Sequence, residues 1–131
     1  MTVIRHLCGP RMSQAVRAGD MVYLAGQIPD DRNADIVGQT EETLSKIDRL
    51  LSQMGGDRSS LVSVQVWLSD MADFAGMNLA WDRWVSPGHA PARATAGVRL
   101  ASPGVRIEVI AVAFIPVAGS AEGAGQAAGR P

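Results

Sequence analysis

The chain has 131 residues, 47% of them hydrophobic and 19% charged, and a formal net charge of −1. That length suits one compact domain without a cofactor domain beside a substrate domain, and the apolar content excludes a disordered chain. Near-neutral charge leaves no electrostatic footprint for nucleic acid or an anionic membrane, and the single cysteine, Cys8, excludes an intramolecular disulfide and a cysteine-built zinc cage.

The opening MTVIRHLCGP is too short and too interrupted for a signal-peptide core. No apolar run is long enough to span a bilayer, so the expected compartment is the cytoplasm. Residues 13–17 and 21–25 flank Ala18-Gly19-Asp20, whose Gly and Asp predict a hairpin. Pro29 ends the second strand because it cannot donate to a ladder. From Gly38 to Met54 the residues Leu44, Ile47, Leu51 and Met54 recur at helical spacing, Leu50 widens the stripe, and Gly55-Gly56 supplies the stop. Residues 61–68 then alternate, with Val62, Val64, Val66 and Leu68 on one face of a strand.

Asp73 is placed to cap a second helix in which Phe74, Met77, Trp81 and Trp84 form one stripe, better read as core than as a binding box. Two more strands are predicted at 92–98 and 105–114. In the last, Val105, Ile107, Val109, Ala111 and Ala113 share one face, and Arg106, Glu108, Ile110, Val112 and Phe114 share the other. The order β-β-α-β-α-β-β predicts an α+β sandwich with two helices covering one face of a mixed sheet. Ile110, Val112 and Phe114 then leave apolar surface on the opposite face, which predicts burial by other subunits. Residues 118–131, AGSAEGAGQAAGRP, hold nothing large enough to anchor a core. They read as a flexible tail after a single domain over 1–117, whose packed part runs from about 10 to 116.

Glu108 is the most unusual residue, a carboxylate between Ile107 and Val109. Lost solvation there raises its pKa and makes it a candidate general acid/base; the alternative is a strand-start glutamate paired with a surface arginine. Arg93 enters a strand directly after the second helix and suits bidentate recognition of a carboxylate, or else is a surface arginine. Arg99 and Arg106 read as solvated. His6 and His89 have no third ligand at metal spacing, so no metal is expected. Neither a phosphate-cradling loop nor a dinucleotide fingerprint nor a nucleophile elbow is present.

Five motifs in order resemble the RidA/YjgF family. They are Ser13-Gln14-Ala15-Val16, Val22-Tyr23-Leu24-Ala25-Gly26-Gln27-Ile28-Pro29, Asp73-Phe74-Ala75-Gly76-Met77-Asn78, Pro91-Ala92-Arg93 and Val105-Arg106-Ile107-Glu108-Val109. The stretches Trp81-Asp82-Arg83-Trp84-Val85 and Gly88-His89-Ala90-Pro91 look closer to a YoaB-like branch than to RidA itself. The resemblance implies a chorismate-mutase-like fold and a homotrimer with ligand clefts between neighbouring subunits. It also implies hydrolysis of reactive enamines and imines to 2-oxo acids and ammonia without metal or cofactor. It assigns the carboxylate-binding arginine to Arg93 and the water-activating glutamate to Glu108. Ala25, Gly26, Thr95 and Asn78 would line the same cleft. Two positions depart from the family pattern: Met12 stands where a tyrosine is common, and Thr95 where a cysteine is frequent. The lost hydroxyl leaves open a non-catalytic alternative, a module that binds small carboxylates.

Overall fold

Strand pairing organises the computed structural model, which describes residues 2–118; of the segment read as a tail, all but Ala118 lies outside the described residues. The elements are β1 (Val3–Cys8), β2 (Ser13–Ala18), β3 (Met21–Leu24), α1 (Ile36–Gln53), β4 (Leu61–Leu68), α2 (Phe74–Trp84), β5 (Ala92–Gly97) and β6 (Ile107–Phe114). They form a six-stranded sheet in the order β1-β2-β3-β6-β4-β5. Only β4 and β5 run parallel, and α2 is the crossover such a pair requires.

The strand β1 is absent from the sequence-based order. It pairs antiparallel with β2 from Val3↔Ala18 to Cys8↔Ser13, so the sheet begins before residue 10. Nearly all its residues are exposed, which is why it shows no inside–outside alternation. Both helices cover one sheet face, as the α+β reading requires. Asp35 begins α1 by accepting a hydrogen bond from Gly38 N at 2.8 Å. Gly55, at φ +92°, and Gly56, whose N–H reaches Leu51 O at 2.9 Å, end it. Leu44, Ile47 and Leu51 of α1 pack with Met77 of α2 on Val64, Val66, Leu68, Ile107 and Val109 of the sheet.

Three local expectations change. Val62 is exposed, because between Leu61↔Ala113 and Ser63↔Val112 the strand β4 carries one extra residue. This bulge puts Leu61 on the core side instead. Phe74 is 40% exposed and leaves the buried stripe to Met77, Ala80, Trp81 and Trp84. Asp73 makes no side-chain cap; its carboxylate lies 3.8 Å from Arg106 Nη1.

The last strand divides as its alternation predicts. Ile107, Val109, Ala111 and Ala113 are buried, whereas Tyr23 of β3 and Phe114 of β6 are 47% and 49% exposed on the face without helices. No helix among the described residues is long and apolar enough to cross a membrane.

Candidate active site

Glu108 opposes Trp67 of β4 on the sheet face that no helix covers. Beside β6 the chain leaves β3 through Ala25-Gly26 and rejoins the sheet where Gln27 N donates to Val109 O at 2.9 Å and Val109 N donates to Gln27 O at 3.0 Å. Five residues from Tyr23 to Gln27 face four from Val112 to Val109, so this stretch also holds a bulge. Gly26 sits in it with its α-carbon directly beneath the Glu108 side chain. A β-carbon there would collide with Glu108 Oε2. Glycine leaves the room that lets the carboxyl lie against the backbone in this position.

The bulge is held from behind. Ala25 N donates to Gln14 O at 2.9 Å, and the buried Gln27 donates from Nε2 to Ala25 O at 2.9 Å and to Gln14 Oε1 at 3.1 Å. Loss of solvent raises the Glu108 pKa above the ordinary glutamate value. No cation or hydrogen-bond donor offsets this among the described residues, so the cross-strand pairing with an arginine does not form.

The second half of the site lies elsewhere. Arg93, opposite Val64 on the edge strand β5, faces the helix side of the sheet. Its guanidinium carbon lies 5.1 Å from the centre of the Trp81 ring, and Nη1 is 3.8 Å from Met77 Sδ. Both contacts come from α2, one turn apart. Trp81 contacts Trp84 at 5.4 Å between ring centres, and Trp84 Nε1 donates to Asp48 Oδ2 at 3.0 Å. Arg58 fixes that carboxylate from Nε and Nη2 at 3.1 and 2.9 Å. Arg93 therefore rests on an anchored aromatic shelf with no carboxylate partner of its own among the described residues.

Thr95 is on the same β5 face as Arg93, and its buried Oγ1 has no hydrogen-bond partner among the described residues. Asn78 follows Met77 on α2 and is half-buried. Met12 lies in the β1–β2 turn, where its carbonyl accepts from Gly9 N at 2.9 Å and its side chain is exposed. One chain thus brings together Ala25, Gly26 and Glu108, and separately Arg93 and Thr95, on opposite sheet faces. Gln14, Gln27 and Trp81 support these halves and were not singled out as site residues from sequence; the Trp81 stripe was readable only as core. His6 hydrogen-bonds Gln53 Oε1 at 2.7 Å and His89 lies against Pro87 O, so neither joins the site.

A family model described as Endoribonuclease L-PSP matches residues 9–115. The chain belongs to the RidA/YjgF family. A RutC family protein from Haemophilus ducreyi is 40% identical over 105 residues, covering 80% of this chain and 90% of that one. The RutC family protein YoaB of Escherichia coli is 38% identical over 115 residues, covering 88% and 100% of the two chains. Among solved structures, a YjgF family member from Neisseria meningitidis superposes with a TM-score of 0.86 at 36% identity, covering 89% of this chain and 98% of its own. An uncharacterized protein from Pseudomonas aeruginosa gives 0.85 at 38%, covering 87% and 99%. These matches agree with the YoaB-like branch and with the RidA/YjgF fold.

Proposed function

We propose that the protein hydrolyses small 2-imino or enamine acids to 2-oxo acids and ammonia, in clefts formed where the Arg93 face of one subunit meets the Glu108 face of another in a homotrimer. The observation that carries the reading is the partly desolvated Glu108 carboxyl lying on Gly26 without a cation. A carboxyl so placed gains most by exchanging a proton with a bound molecule.

The chemistry needs little beyond that. Arg93 holds the substrate carboxylate through two parallel N–H···O bonds, with its guanidinium kept in one orientation by Trp81. Glu108 accepts a proton from water as the water oxygen bonds to the C=N carbon. That proton passes to nitrogen to give the carbinolamine; the hydroxyl proton then moves to nitrogen as the C–N bond breaks, so ammonia leaves while the C=O bond forms. The half-exposed apolar face of Tyr23 and Phe114 supports the assembly, since a free monomer would leave it wet. The protein is placed in the cytoplasm on the same reading.

The test is ammonia release from freshly generated 2-iminopropionate or 2-iminobutyrate. Acceleration over buffer, lost in Arg93→Ala and Glu108→Gln, supports the proposal. Wild-type protein that gives no acceleration excludes it for those substrates. One observation favours a second reading: Met12 puts an exposed thioether where the family commonly has a hydroxyl. On that reading the cleft captures a small carboxylate without turnover, and calorimetry shows 2-oxo acid binding that needs Arg93.

A further inference from the structure

Where β4 and β5 end, the β5–β6 connection folds against the segment preceding α1, and the two enclose an open cleft of about 760 Å³. Arg32, Arg99 and Arg106 line it, and no Asp or Glu does. Arg93, Glu108 and Gly26 do not line it either. Arg32 and Arg99 form no ion pair among the described residues. Arg32 is the weakest of the attractions on Asp30, whose partner is Lys46. Arg106 has one long contact, 3.8 Å to Asp73.

The walls are fixed before any ligand arrives. Gln39 of α1, fully buried, donates from Nε2 to Gly104 O at 2.9 Å and to Ala34 O at 3.2 Å. Its Oε1 accepts from Arg106 N at 2.8 Å. One side chain therefore ties the two segments together. Gly104, at φ +82°, lets them close further, since a β-carbon there would lie 3.0 Å from Arg32 Cβ.

Arg32 and Arg99 share the cleft with no ion-pair partner among the described residues, and Arg106 has only its long contact to Asp73; like charges so placed repel, and an oxyanion among them removes the repulsion. A single carboxylate has one charge and acceptors for one fork. A phosphate monoester carries nearly two charges and three oxygens, enough for two or three guanidinium groups. We propose that this cleft is a second binding site, for the phosphate group of a small molecule.

Calorimetry of the full chain with inorganic phosphate and with glycerol phosphate, at constant ionic strength, tests the proposal. Saturable binding is expected, weakened about tenfold or more in Arg99→Ala and Arg32→Ala and unchanged in Arg93→Ala. The exposed positions of Arg32 and Arg99 let both variants fold. Three results would overturn it: no saturation, equal affinity in Arg99→Ala, or citrate binding more tightly than glycerol phosphate. Deaminase activity does not enter the readout, so the site stands or falls apart from the proposed reaction.

Discussion

The α-carbon of Gly26 and the carboxyl of Glu108 occupy adjoining space: a β-carbon on Gly26 would stand 3.0 Å from Glu108 Cδ and 3.2 Å from its Cγ. The end of a glutamate can swing away from such a clash, so Gly26→Ala is expected to leave thermal stability nearly unchanged while moving the carboxyl. Imine hydrolysis should fall about tenfold or more, within the range that a positioned general base contributes. Ammonia release beside a melting curve checks both halves. Unchanged activity would detach Glu108 from the chemistry.

Burial raises the Glu108 pKa, and the sign of its effect on stability follows. The folded state holds this proton to higher pH than the unfolded chain, so stability is full below the ordinary glutamate pKa and is lost as pH rises through the raised one. Glu108→Gln removes that loss. The variant should be the more stable protein at neutral pH, with the advantage vanishing in acid, as denaturant titrations at several pH values would report. Wild-type activity should have an acid limb above the ordinary glutamate range, because the base must be ionised to act.

Trp81 holds Arg93 by its ring face, at 5.1 Å. A cation–π contact at a partly buried site is worth about 1 kcal/mol. Trp81→Phe keeps a ring and should weaken 2-oxo acid binding only about threefold, whereas Trp81→Leu should weaken it more and destabilise the fold by about 2 kcal/mol. Arg93→Ala should abolish binding while costing only about 1 kcal/mol of stability, the contact it removes. Calorimetry separates the three variants, and identical affinity in Trp81→Leu would make the shelf a packing feature only.

The uncovered sheet face predicts association. Val112→Glu places a carboxylate beside Tyr23, its cross-strand neighbour, in the middle of that face. The variant should stay folded by circular dichroism but run as a monomer in light scattering, with activity lost. A wild-type protein that is itself monomeric at micromolar concentration would remove the inter-subunit site.

Gln39 is buried beneath the loops it joins. Gln39→Leu leaves Gly104 O, Ala34 O and Arg106 N without their partner, at a cost of about 2–3 kcal/mol. Chemical denaturation measures it. The same variant should loosen the phosphate cleft while leaving the Glu108–Gly26 contact in place.

Local regularity was legible in the sequence where it was strong. Residues 61–68 and the end of β6 alternate cleanly, and Gly55-Gly56 marks the helix stop where the backbone turns left-handed. Glu108 was visible because a carboxylate in an apolar strand has no inexpensive place to go. What escaped depends on pairing. Exposure along β1 erases alternation, and the bulge at Val62 exists only relative to β6. Gln39 looks like a solvated helical residue until the loop carrying Gly104 crosses it. The side of the sheet that Arg93 faces was equally hidden, because parallel register with β4 sets it.

That register has a genetic consequence. Arg93 and Glu108 face opposite ways, so on the inter-subunit reading a chain lacking the arginine and a chain lacking the glutamate are damaged on different sides. Folded together, two such inactive chains can set an intact arginine face against an intact glutamate face, and the defective alleles complement each other. A defective allele expressed beside a normal one leaves some clefts whole, so its harm is graded and follows the ratio of the two chains.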